Sequence, residues 1–166
     1  MVMPDPQSFD PGPFGERPSG GGRVPPHSLD AERAVLGGIM LENNALNSAT
    51  QILSAEDFYS RANATIFEGM VELFRRSMPV DLVTLRAWLV DRGALQKAGG
   101  DEHMLSLTET IPTVENIEHH AIIVRDKAVV RRLITRCHEI AAKGYGDYGP
   151  VEEFVDEAEK QIFDVA

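Results

Sequence analysis

The chain has 166 residues, 43% hydrophobic and 25% charged, with a formal net charge of -10. That length and balance allow one buried core with an appendage, and so acidic a surface repels polyanions, which argues against tight nucleic-acid binding by the chain alone and favours protein partners. A single cysteine excludes an internal disulfide, and no apolar run long enough to cross a membrane and no signal-peptide pattern is present, so the expected location is cytoplasmic.

Residues 1–27 are rich in Pro, Gly and Ser and lack periodic apolar positions, which predicts a disordered leader. Ser28 then reads as the N-cap of a helix with Asp30 and Glu32 in its first turn and Leu29, Leu36, Ile39 and Met40 inward. The pair Gly37-Gly38 inside this helix suggests close approach of another helix. Asn43 or Asn44 ends it and opens a short helix with Leu46, Ile52 and Leu53 on its inner side. A turn over Ser54–Asp57 leads to Phe58 and Tyr59. From about Ala62 to Arg76, residues Ile66, Phe67, Met70, Val71 and Phe74 recur at helical spacing. Asp81 caps a fourth helix through Leu82, Leu85, Trp88 and Leu89 to Gly93. Gly99-Gly100-Asp101 opens a fifth, with Met104, Leu105, Leu107 and Ile111 as its apolar residues, ended by Pro112.

Thr113 to Lys143 contains neither Gly nor Pro and predicts one helix of roughly 45 Å, capped by Thr113 with Glu115 and Glu118 near its positive end. In its first half Ile117, Ala121, Val124 and Ala128 lie on one side, while Ile122, Ile123, Val129 and Val130 lie on roughly the other. Only the second face continues, through Leu133, Ile134, Cys137, Ile140 and Ala141, with Arg131, Arg132 and Arg136 opposite. The helix is therefore expected to leave a compact head near its middle and project beyond it. Cys137, within the apolar stripe, reads as a small core residue. After the turn Gly144–Pro150, residues 151–165 place Val151, Phe154, Val155, Ala158 and Ile162 on one face of an acidic return helix. A basic outgoing and an acidic returning helix make a hairpin of complementary charge. No segment alternates with period two, so the expected fold is all-α: a small helical globular head, residues 28–112, followed by a long helical hairpin, residues 113–166.

The chemistry of a nucleotide or hydrolytic site is missing from the sequence. The glycine runs at Gly20 and Gly99 are followed by Arg23 and Asp101 rather than by the lysine and hydroxyl of a phosphate loop, and no nucleophile elbow occurs. His119 and His120 point about 100° apart on a helix and cannot chelate one ion. Residues Asp81–Gly93 and the following helix could pass for a helix-turn-helix with Arg86 and Arg92 exposed, but Asp81, Asp91, Asp101 and Glu102 surround them. No catalytic residue, cofactor ligand or metal ligand is assigned.

The run Pro26–Gly37, then Glu56-Asp57-Phe58-Tyr59, Pro79–Leu85, Gly99-Gly100, Asn116, Ile123–Lys127 and Arg132-Leu133-Ile134 resembles the N-terminal domain of the bacterial replicative DNA helicase, the DnaB family. The resemblance covers about residues 25–166. It implies a head and hairpin that form a collar: hairpins pair into dimers, three dimers make a hexameric ring, and the collar receives the C-terminal domain of primase within the primosome, with a helicase loader as a further partner. It also implies that the chain ends where a linker to a RecA-like ATPase would begin. ATP, Mg and five-prime to three-prime unwinding would then belong to that further domain, and this chain alone is expected to be no enzyme and to take no cofactor.

Two residue sets follow. Val129, Val130, Leu133, Ile134, Ile140, Phe154, Val155, Ile162 and Phe163 are the expected self-association surface, because the short return helix cannot cover all of them. Glu118, Ile122, Arg125 and Asp126, with Trp88 and Arg92 from another helix, are the expected primase-docking candidates, Ile122 being an apolar anchor ringed by charge. The competing reading is a free-standing all-α dimerising adaptor or regulator with an acidic surface.

Overall fold

The structure, a computed structural model, describes residues 23–109 and 116–165. The expected cap at Thr113, Glu115 beside it, the stop at Pro112 and most of the leader lie outside the described residues. Among the described residues seven α-helices follow in order: α1 (Leu29–Leu41), α2 (Ala45–Ile52), α3 (Arg61–Arg75), α4 (Leu82–Asp91), α5 (Gly100–Glu109), α6 (Ile117–Tyr145) and α7 (Val151–Phe163), with a 3-10 turn at Ala55–Asp57 between α2 and α3. The fold is all-α.

Local chemistry sets the starts. The Ser28 hydroxyl accepts from the Ala31 amide at 3.3 Å, Ser60 from Asn63 at 3.3 Å, and the Asp81 carboxylate from Thr84 at 2.8 Å, each satisfying an amide that the first helical turn leaves without a partner. Val35, Leu36 and Ile39 of α1, Leu46 of α2, Ile66, Met70 and Leu73 of α3 and Leu85 and Leu89 of α4 are all fully buried, and Met104 and Leu107 of α5 close the same core. At about 1.5–3 kcal/mol for each large side chain, this burial is the main favourable contribution to the head. Leu29, expected inward, is instead exposed, and so is Leu105 of α5.

Helix α6 runs through the head along one side only. Ile117, Ala121, Val124 and Ala128 are buried, at steps of four, three and four, and beyond Ala128 no residue of α6 is buried. The expected exit near the middle of the long helix is thus located at Ala128–Arg132. Close approach explains the glycine in α1: a Cβ on Gly38 would lie 2.5 Å from Cδ1 of the buried Ile117.

Three polar devices tie the helices together. Asn43 ends no helix by capping. Its amide donates to the carbonyls of Ile39 (3.0 Å) and Val80 (2.8 Å) and accepts from the Val80 amide (2.8 Å), joining the α1–α2 corner to the segment before α4. Glu32 is 1% exposed rather than a solvated first-turn acid: its carboxylate accepts from the amides of Tyr59 (2.6 Å) and Ser60 (3.3 Å) and from Nδ2 of Asn63 (2.8 Å), at the N-terminus of α3. His103 of α5 extends this chain, Nε2 donating to Oδ1 of Asn63 at 2.8 Å. The exposed Arg86 is paired with Asp101 at 2.5 and 3.0 Å, so the arginine considered for DNA contact is engaged. The pairing raises the Arg86 pKa and lowers that of Asp101.

Removing the Glu32 carboxylate leaves three buried or half-buried donors without an acceptor. Glu32→Ala is expected to lower unfolding stability by about 3 kcal/mol in urea titration, against no change for Glu102→Ala on the exposed side of α5. His103 gives a pH dependence. Burial, and secondarily Arg33, hold its pKa below the usual histidine value. The unfolded chain therefore takes up the proton first, and stability should fall as pH drops through about 6.5 toward the lower folded-state value. Melting curves between about pH 7.5 and 5 should show this loss, and His103→Gln should reduce it.

Candidate functional site

Where α6 leaves the head, two consecutive arginines hold it to the loop before α3. Arg131 donates from Nη1 to the carbonyl of Pro26 (2.7 Å) and from Nη2 to the carbonyl of Asp57 (2.5 Å), and Arg132 donates to Oδ1 of Asp57 at 2.7 Å. The other Asp57 oxygen accepts from the Ser54 amide (2.8 Å) and hydroxyl (3.2 Å), so one carboxylate both closes the 3-10 turn and receives the long helix. The Tyr59 ring stacks on the His27 ring at 4.2 Å, and the Arg131 guanidinium lies 5.6 Å from its centre. Partial burial lowers the Arg131 pKa against the opposing pull of Glu32 and Asp57. Arg131 thus ties the carbonyl of Pro26 to α6, while His27 packs on Tyr59.

This junction corrects the expected electrostatics of the hairpin. Arg131 and Arg132 face the head, and Arg136 pairs with Glu139 on its own helix at 2.7 Å. Among the described residues the one ion pair between α6 and α7 joins Lys143 to Glu157, whose carboxyl is held below its ordinary pKa by that lysine. On the apolar side of the hairpin, Phe154 packs beside Gly144 and lies 5.7 Å from the Tyr148 ring.

Beyond the junction the apolar stripe faces outward. Val130, Leu133 and Ile134 on α6 are 43%, 37% and 40% exposed; Val129 and Ile140 are half-buried. On α7, Phe154 is half-buried, Val155, Ile162 and Phe163 are exposed, and no residue of the helix is fully buried. Cys137 lies on this stripe and is exposed, which overturns its reading as a core residue: the described residues cover the stripe only in part.

Glu118, Ile122, Arg125 and Asp126 are all exposed on the proximal half of α6 and fall within about 100° of one another around the helix. Ile122 is 41% exposed and stands among charges, with Arg125 and Asp126 in contact at 4.0 Å. Trp88 and Arg92 are elsewhere. They line a groove of about 620 Å³ walled by α2, the 3-10 turn, α3 and α4, with Leu53, Phe67 and Val71 among its lining residues and none from α6. Arg92 lies 4.2 Å over the Trp88 ring. Among the described residues no group of three or more His, Cys, Asp or Glu side chains converges as a metal site, and no described helix is long and apolar enough to cross a membrane.

Residues 24–126 match the family described as the DnaB-like helicase N terminal domain. The chain belongs to that family. Membership does not favour the free-standing adaptor. The replicative DNA helicase DnaB of Geobacillus stearothermophilus is 41% identical over 144 residues, which cover 87% of this chain and 32% of that protein, so this DnaB-type domain spans about a third of that relative. The crystal structure of the N-terminal domain of DnaB helicase from Mycobacterium tuberculosis superposes with a TM-score of 0.79 at 36% identity, over 85% of this chain and 99% of that one. The N-terminal domain of the Helicobacter pylori DnaB helicase, whose structure was described together with its interactions with primase, shares the fold at a TM-score of 0.63 and 23% identity, over 70% of this chain and 90% of that one.

The junction makes a direct prediction for this domain. Arg131→Ala should speed amide exchange at Phe58 and Tyr59 roughly tenfold, about 1.4 kcal/mol of lost local stability, and leave α4 unchanged. Equal protection in the variant would mean that the arginine contributes nothing to the loop.

Proposed function

We propose that the chain is the assembly and partner-docking collar of a hexameric replicative DNA helicase, in which it supports ring formation and recruits primase during DNA replication. The observation that carries this reading is the apolar face of α6 and α7 beyond Ala128, left uncovered on a domain whose relatives are replicative helicases. Large contiguous apolar surface on a projecting element is the signature of an interface, and a two-helix face that meets itself about a twofold axis gives a closed dimer. Three such dimers complete the ring. ATP, Mg and the unwinding reaction belong in this reading to a RecA-like domain of the parent protein, and this chain contributes scaffold rather than catalysis.

Primase is the partner the relatives suggest, because the Helicobacter pylori domain was described with its primase interactions. In this chain the surface offered to the C-terminal domain of primase is Glu118, Ile122, Arg125 and Asp126, displayed on the half of α6 that the head holds rigid. A half-exposed isoleucine ringed by charges is a suitable anchor.

Sedimentation of the chain should show dimers or larger species that grow with concentration, and Ile134→Glu should shift them toward monomer. A strict monomer at high concentration would contradict the assembly role. Calorimetric titration with the C-terminal domain of primase should show affinity reduced by about tenfold or more in Ile122→Ala/Arg125→Glu, with helicity and self-association unchanged. Unaltered affinity would move the docking site off this flank of α6.

A further inference from the structure

We propose that the outer face of α4, with the ion pair that borders it, is a second self-association surface, at which the heads of two copies meet about a twofold axis through Ala87. Helix α4 is apolar on two sides. Leu85 and Leu89 are buried and Leu82 is half-buried on the side packed on the core, whereas Val83, Ala87 and Val90 are exposed, Val83 by 78% and Val90 by 47%. Steps of four and three place these three residues within about 60° of one another, in one narrow stripe along the helix. The pair formed by Arg86 and Asp101, at 2.5 and 3.0 Å, borders the stripe. Leu105, one turn beyond Asp101 on α5, adds a large apolar side chain that is 50% exposed. This surface is separate from the hairpin stripe and from the charged flank of α6.

Charge selects the occupant. The chain carries a formal net charge of -10, so two copies repel one another wherever uncompensated acids meet. Here the Asp101 carboxylate is matched by the Arg86 guanidinium and the stripe itself is uncharged, while the exposed Asp91 and Glu102 stand at the rim, where water screens them. A second copy can approach this patch without that penalty, and neither a polyanion nor a basic peptide finds net charge in it to bind. The stripe is also self-complementary. Ala87 stands near its midpoint, four residues after Val83 and three before Val90. Antiparallel pairing about Ala87 lets two α4 helices approach closely at the small residue and sets Val83 of each copy against Val90 of the other. The same twofold brings both Arg86–Asp101 pairs to one side of the seam, where each guanidinium can share its donors between the two carboxylates.

The contact is narrow. The ten residues of α4 extend about 15 Å, and a patch of that length and one helix wide falls well short of the roughly 800 Å² per partner that a stable dimer buries. Free heads therefore pair weakly, and the contact matters where other contacts already hold the chains together. Its role as the joint between hairpin dimers rests on the collar reading, because two different twofold surfaces on one chain alternate around a closed ring. The contact itself rests on the patch alone.

Disulfide trapping tests the contact directly. With Cys137→Ser removing the native thiol, Ala87→Cys should cross-link to its own copy under an added oxidant about tenfold faster than the control Thr50→Cys on the exposed side of α2, because a residue on the twofold brings its Cβ within bonding distance of its counterpart. Val83→Cys mixed with Val90→Cys should cross-link faster than either chain alone. Adding Ile134→Glu to the Ala87→Cys chain should leave its cross-link in place, so that loss of the hairpin contact and loss of this one are read separately. In sedimentation, the species larger than a dimer that the parent chain forms at high concentration should be absent from Ala87→Glu/Val90→Glu, with the far-ultraviolet circular dichroism unchanged. Cross-linking of Ala87→Cys no faster than the control would overturn the proposal. So would a cross-link that disappears with Ile134→Glu, which assigns it to the hairpin face, and larger species that persist in the double variant.

Discussion

The buried carboxylate of Glu32 is the constraint on which the rest of the arrangement depends. Taking a carboxylate out of water costs several kcal/mol, and here the cost is offset by N–H donors at 2.6, 2.8 and 3.3 Å and by the positive end of the fifteen-residue helix α3. Because two of those donors are the amides of Tyr59 and Ser60, the ion fixes the loop between the 3-10 turn and α3. That loop carries Asp57, which receives Arg132, and Tyr59, which is covered by His27 and Arg131. A single acid in the first turn of α1 therefore determines where α6 leaves the head.

The consequence is a division of labour along one helix. Up to Ala128 each inward residue of α6 is buried against the head, and past Arg132 no described residue of the helix is buried, with α7 returning beside it. The exposed ion pairs of the hairpin contribute tenths of a kcal/mol each, and α7 brings no fully buried side chain, so the hairpin gains little stability by itself. Pairing with a second copy would add apolar burial at about 25 cal/mol per Å². Weak intramolecular closure and an available apolar face are two aspects of the same feature.

The helices were legible because each carries an amphipathic period and, in α1 and α4, a capping residue that the structure uses as expected. The exit of α6 was legible in the loss, after Ala128, of the apolar face formed by Ile117, Ala121, Val124 and Ala128. What escaped notice was polar and long-range. Glu32 has the composition of an ordinary dipole-complementing acid, and Arg131 and Arg132 that of a solvated helix side; their partners lie 27 to 31 and 74 or more positions away and, Asn63 of α3 apart, in loops without periodicity. One signal was present, since Asn63 occupies the inward register of Ile66, Phe67 and Met70, where a polar side chain demands a buried partner. Cys137 was misplaced for a different reason: its stripe is apolar, but among the described residues nothing packs over it closely enough to bury it. Family membership was readable from the ordered motifs between Pro26 and Ile134, whereas the groove at Trp88 was not, because helix-face reasoning treats its four walls separately.

Pulsed electron-spin measurement of the distance between the native Cys137 on α6 and a second label at Glu68→Cys on α3, with labelled chains diluted in unlabelled ones, tests most directly whether the polar junction sets the exit of the long helix. A single narrow distance distribution in the parent chain that broadens in Arg131→Ala/Arg132→Ala is the predicted result. A distribution already broad in the parent, or one that stays narrow when both arginines are removed, would contradict the account.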